Sequence, residues 1–172
     1  MSTPVGKLKS KDTMDDAKRN EIIALLAKSY NMELETVVNY LANSIHLDGM
    51  LSKEVRESLE ADTTEELGHA RRLAARIKVL GGAIPGSQSL KMEQTSLQPP
   101  ADTLDVEHVI KGVIEAEDGA IDQYQKLIDA TDGADDVTND LAIELMGDEQ
   151  EHRREFLGFL REWQSFGLRS GK

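Results

Sequence analysis

The chain has 172 residues, 39% hydrophobic and 30% charged, enough for one domain whose core is stable without cross-links. It contains no cysteine, which excludes disulfides, thiolate metal sites and thiol nucleophiles. A formal net charge of -12 repels phosphate backbones and favours cations, so nucleic-acid binding is not expected unless Lys7, Lys9 and Lys11 act as a tether.

Residues 1–14 read as a flexible N-terminal segment. The opening MSTPVGKLKSKDTMDD lacks the apolar stretch of a secretory signal, and no run of about 18 apolar residues exists to span a bilayer, so a cytoplasmic location is expected. Four helices follow. Ile22, Leu26, Tyr30, Val37 and Tyr40 recur at helical spacing over about Asp15 to Leu47. Val55, Leu59, Leu73, Ile77 and Leu80 do so over about Ser52 to Leu80. The third helix covers about Thr103 to Ala130, with Val106, Ile110, Val113, Ala120, Tyr124 and Leu127, and the fourth about Ala134 to Phe166, with Leu141, Leu145, Phe156 and Leu160. β-Branched residues do not alternate, so the class is all-α.

An Asp-Gly turn signal lies in HLDGML and another in ATDGADD, and each joins two helices into a hairpin. Between the hairpins, residues 81–102 hold three Gly and three Pro and cannot be helical throughout. So long a connection is uncommon in a compact domain unless it runs the length of a four-helix bundle, roughly 40 Å for helices of this size. A bundle over 15–166 with this crossover and a C-terminal tail at 167–172 is the expected organisation.

The hairpins repeat. Glu33 and Glu117, Tyr40 and Tyr124, and Gly49 and Gly133 are each 84 residues apart, while Glu66 and Glu149, and His69 and His152, are 83 apart. Glu33 and Glu117 each stand 16 residues before their turn glycine; Glu66 and Glu149 stand 17 and 16 after it. Residues equidistant from a hairpin turn share a height, so the four carboxylates meet at mid-bundle, and each also lies on its helix's apolar stripe. Buried together, ionised and unpaired, they would carry a desolvation cost of several kcal/mol each. Two divalent cations cancel four negative charges, and the two imidazoles complete the coordination as nitrogen donors. One Glu-x-x-His pair alone would mean little; two, in register with two Glu and two turns, form a set. A metal-free hydrogen-bonded polar network is the alternative within the same bundle.

Tyr40 and Tyr124 share faces with Glu33 and Glu117 two turns on, so their hydroxyls can orient carboxylates across the bundle or serve simply as core aromatics. Glu35 and Glu115 are off the stripe and are expected to point elsewhere. Glu65 and Asp148 flank the ligands, as access or outer-sphere groups or as a solvated face. His46 and His108 have no Glu three residues before them and are expected at the surface, and the methionines share no face.

The set Glu33, Glu66, His69, Glu117, Glu149 and His152 resembles the ferritin-like superfamily over about residues 15–163, most closely bacterioferritins and Dps-like ferritins with a centre inside each bundle. The resemblance implies a di-iron ferroxidase: Glu33 and Glu117 as terminal ligands, Glu66 and Glu149 as bridges, and one histidine on each iron, with Mn or Zn as possible substitutes. Fe(II) would be oxidised by O2 or H2O2, for iron storage or detoxification and protection against oxidative stress. Leu67 follows Glu66 where bacterioferritins carry a haem-ligating methionine, so haem is not expected. After Trp163 only QSFGLRSGK remains, short of the fifth helix of larger ferritin cages, which favours a dimer or a Dps-like cage. The rivals are a manganese or mixed-metal peroxidase or catalase and, from another class, a metal-free helical interaction module.

Overall fold

The computed structural model describes residues 14–170, so Lys7, Lys9 and Lys11, nearly all of the expected N-terminal segment, and the last two residues of the expected tail lie outside the described residues. Helix α1 spans Asp16–His46, α2 Lys53–Val79, α3 Val106–Thr131 and α4 Asp136–Ser170, and the described residues contain no strand. Aspartates cap three helices: Asp15, Asp105 and Asp135 accept from the backbone N–H of Lys18, His108 and Thr138 at 2.7, 3.0 and 3.2 Å. Both hairpin turns pass through a glycine with positive φ, 89° at Gly49 and 65° at Gly133, a conformation that carries no steric cost only without a Cβ. The helix boundaries fall close to those expected, except that α4 continues past 166 into the segment expected as a tail.

The hairpins α1/α2 and α3/α4 close into a four-helix bundle in which α1 also packs on α3, more extensively than α2 packs on α4. The apolar interior is split in two. Leu47, Val55, Leu59, Leu97, Val109, Val113 and Phe156 fill one half; Ile22, Leu26, Leu73, Ile77, Leu127 and Leu145 fill the other. A polar layer lies between them. Tyr30 and Val37, expected on the buried stripe of α1, are only partly buried.

The crossover runs alongside α1 in the same direction, with a short 3-10 turn at Ser87–Ser89. A second face of α1 straps it down with polar side chains spaced by three or four residues. Asn31 exchanges two hydrogen bonds with the Lys91 backbone (2.7 and 2.6 Å), and Glu35 accepts from Gln94 N–H at 2.7 Å. Asn39 donates to the Gln94 side chain at 2.9 Å, Asn43 donates to Leu97 O at 2.9 Å, and His46 Nε2 meets Pro100 O at 2.7 Å. On the other side, His108 Nε2 lies 3.0 Å from Gln98 O. His108 is exposed as expected, whereas His46 is half-buried by its crossover contact. Glu35 does point away from the bundle centre, but it is buried beneath the crossover; Glu115 is exposed.

At Gly112 on α3 a Cβ would stand 2.5 Å from the Ser96 carbonyl oxygen, so backbone seats directly on backbone there. Gly112→Ala is expected to push the crossover off α3 and destabilise the fold by about 1–3 kcal/mol, read as a lower Tm in thermal unfolding. An unchanged Tm would show that the crossover does not need this seat.

Candidate metal centre

The polar layer is built by one residue from each of α1 and α3 and two from each of α2 and α4: Glu33, Glu117, the pair Glu66 and His69, and the pair Glu149 and His152. All six are buried. Their donor atoms fall into two groups. Glu33, Glu66, His69 and Glu149 form one and Glu66, Glu117, Glu149 and His152 the other, and within each group one atom per residue lies within 4.8 Å of the rest. Glu66 and Glu149 belong to both, which places them between two positions.

His69 Nδ1 lies 3.1 Å from both Glu66 Oε2 and Glu149 Oε1, and His152 Nδ1 lies 3.3 Å from both Glu66 Oε1 and Glu149 Oε2. Despite this proximity, Glu66 Oε1, both Glu149 oxygens and His152 Nδ1 are buried without a hydrogen-bond partner. Buried polar atoms are seldom left so. Apart from the His69 Nδ1–Glu66 Oε2 hydrogen bond, these donors crowd without bonding geometry, as groups aimed at a common point do, and an oxygen-rich set with one imidazole per group suits Fe, Mn or Zn. The residues present fit a pair of divalent ions.

Tyr40 on α1 donates its hydroxyl to Glu117 Oε1 on α3, and Tyr124 on α3 donates to Glu33 Oε1 on α1. Each tyrosine therefore holds the other hairpin's glutamate. Both rings are buried, one in each apolar half, so packing fixes the rings and the hydroxyls fix the carboxylates.

The outer imidazole nitrogens face a second set of carboxylates. Asp148 Oδ2 is 3.3 Å from His69 Nε2, and Glu65 Oε2 is 3.4 Å from His152 Nε2. Both acids are partly open to solvent, at 37% and 50% side-chain exposure, so they connect the centre to the surface. Asp62 was not anticipated. It is buried, takes a hydrogen bond from Ser58 Oγ at 3.4 Å and lies 3.9 Å from His152 Nε2. Its position one turn before Glu66 was the available signal, but its repeat equivalent, Leu145, is apolar, and the repeat therefore passed over it.

Charge and burial divide the centre. Burial, then the Glu66 and Glu149 carboxylates, hold Glu33 well above the ordinary range, and burial, then Glu149 and Glu66, do the same to Glu117. Burial also opposes ionisation of Glu66, but attraction to the His152 and His69 imidazoles outweighs it and brings the carboxyl down to about 2. Burial would depress the imidazoles; Glu149 and Glu66 overcome it and raise His69 to about 10 and His152 to about 12. Burial, reinforced by Glu117 and Glu33 respectively, raises the Tyr40 and Tyr124 hydroxyls. Asp62 is pushed up to about 6 by burial, against the pull of His152. Without metal, then, protons on the imidazoles and on the outer glutamates carry the compensation that cations would otherwise supply.

The family model described as a ferritin-like domain matches residues 23–166. The chain is 29% identical over 156 residues to the DNA protection during starvation protein of Pyrococcus furiosus, covering 88% of this chain and 83% of that protein. To the bacterioferritin of Desulfovibrio desulfuricans it is 26% identical over 136 residues, covering 78% and 72%. The X-ray structure of that bacterioferritin, known with its diiron site in different catalytic states, superposes with a TM-score of 0.76 at 23% identity, covering 88% and 84% of the two chains. The dodecameric thioferritin of Bacteroides fragilis superposes with a TM-score of 0.79 at 22% identity, covering 87% and 90%.

Proposed function

This chain belongs to the ferritin-like domain family, and from that premise we propose that it is a ferroxidase, binding two Fe(II) ions in each bundle and oxidising them with O2 or H2O2 for iron storage or detoxification and protection from oxidative damage. One observation carries the proposal: two donor groups, each with carboxylates and one histidine, share Glu66 and Glu149 at the middle of the bundle. Two adjacent Fe(II) ions would supply two electrons to one oxidant.

Each side chain has a role in this account. Glu66 and Glu149 would be shared by the two ions, Glu33 and Glu117 would each serve one of them, and His69 and His152 would each offer Nδ1 to one position. Anionic oxygen donors favour Fe(III) over Fe(II), which drives the oxidation in the required direction. Tyr40 and Tyr124 keep Glu117 and Glu33 aimed inward while protons leave. The apolar halves on either side exclude bulk water, and Glu65 and Asp148 provide a polar way in and a path out for released protons.

Homo-oligomerisation is part of the same proposal. Val38, Leu41 and Ile45 lie 55%, 51% and 72% exposed along one face of α1, a stripe that a second subunit would cover. No helix among the described residues is long and apolar enough to cross a membrane.

The test is to load the metal-free protein anaerobically with Fe(II), admit oxygen or peroxide, and record near-ultraviolet absorbance. Rapid formation of a ferric product that accumulates is expected. Sustained peroxide turnover without a ferric product would transfer the assignment to a manganese or mixed-metal peroxidase.

A further inference from the structure

The internal repeat makes the two metal positions alike in nearly every respect. Glu33 matches Glu117, Tyr40 matches Tyr124, Glu66 and His69 match Glu149 and His152, and Glu65 matches Asp148, with offsets of 83 or 84 residues. Among the acidic side chains, the match fails at one buried place beside the centre. Asp62 falls on Leu145, which is fully buried in the apolar interior.

The consequence is an uneven outer shell. His69 Nε2 has Asp148 Oδ2 3.3 Å away, and Glu65 also comes within 4.8 Å of this imidazole, but both acids are partly open to solvent. His152 Nε2 faces Glu65 at 3.4 Å and also Asp62 at 3.9 Å, and Asp62 is only 7% exposed and anchored by Ser58. A carboxylate at the outer nitrogen of a metal-binding imidazole holds the tautomer that leaves Nδ1 free and makes the ring a stronger donor. A second carboxylate, sheltered from solvent, adds negative charge where screening is weak.

We propose that Asp62 is a positioning residue that makes the two metal positions inequivalent, so that the position formed by Glu66, Glu117, Glu149 and His152 binds its ion more tightly and fills first. The inference rests on the paired-metal reading above. It assigns an order of loading: the His152 position takes the first ion, and the His69 position completes the pair.

Co(II) provides the test, because its visible absorption reports coordination without any oxidation step. Repulsion between neighbouring ions separates two binding steps even at identical positions, so the decisive result is which step each variant moves. Asp62→Asn keeps the shape and the contact with Ser58 but removes the charge, and is expected to weaken the first step about 10- to 100-fold, the range for losing an outer-shell partner of a metal ligand. Asp62→Glu is expected to restore it. Asp148→Asn, which removes the carboxylate 3.3 Å from His69 Nε2, is expected to weaken the second step. Asp62→Leu, which copies Leu145, supplies an independent variant should the asparagine fail to fold. Equal shifts of both steps in Asp62→Asn and Asp148→Asn, or no shift in either, would overturn the inference while leaving the paired centre intact. Absence of paired Co(II) binding in the unaltered protein would overturn both.

Discussion

Replacing Glu66 by alanine is expected to abolish paired metal binding. Glu66 is one of two side chains common to both donor groups, so its loss removes an oxygen from each position at once and leaves His69 and His152 with Glu149 as their one remaining shared carboxylate. The drop in affinity should be at least about 100-fold, at or beyond the upper end for loss of an outer-shell partner, because a ligand itself is removed. Equilibrium dialysis with Fe(II) or Co(II) reads the stoichiometry directly. Glu115→Ala, an exposed glutamate on α3, is the control and should retain both ions. The metal-free interaction module predicts the opposite pattern: Glu66→Ala is neutral or stabilising, since it removes a buried charge, and chelators change nothing. Unchanged binding in the variant would rule out the ligand assignment.

The second large effect is a steep dependence of metal affinity on pH. His69 and His152 are raised to about 10 and about 12 by Glu149 and Glu66, against the effect of burial. Both imidazoles therefore hold protons across neutral pH when no metal is present, and Glu33 and Glu117 are also held toward the protonated form, chiefly by burial. A cation has to displace those protons. Raising the pH removes the competitor, so affinity rises with pH, by about tenfold per pH unit for each proton displaced, and acid releases the metal. Titrations at several pH values, paired with direct measurement of proton release in weakly buffered solution, check the sign and the slope. Affinity that is flat between pH 6 and 8 would mean that the imidazoles are already deprotonated or do not bind metal.

The four helices and the residues at their centre were legible because two independent patterns coincide. Apolar periodicity located each helix, and Gly49 and Gly133 fixed the height at which Glu33, Glu66, Glu117 and Glu149 stand. What escaped was chemistry that imitates a solvated surface. Asn31, Glu35, Asn39 and Asn43 look like the wet face of α1, yet they bind the crossover, three of them through its backbone, so a polar stripe proves to be an interface. Periodicity of hydrophobicity cannot register a helix that buries a polar face against another segment's peptide groups. Val37 and Tyr30 satisfy the apolar spacing but are only partly buried, Tyr30 packing against one of the two apolar clusters. Asp62 was hidden for a different reason: the repeat that disclosed the ligands is blind where the two halves diverge.

That divergence also shows how the fold and the chemistry depend on each other. The apolar halves on either side of the centre hold the helices together, and they let the centre concentrate charge away from water. Tyr40 and Tyr124 join the two functions, since each belongs to an apolar cluster by its ring and to the centre by its hydroxyl.

The most direct measurement is the number of Fe(II) ions bound per chain in an anaerobic titration of the metal-free protein. Saturation at about two per chain is expected from four carboxylates and two histidines arranged in two groups that have Glu66 and Glu149 in common. Absence of saturable binding would contradict the account and leave Glu66 and Glu149 as members of a buried polar network without metal.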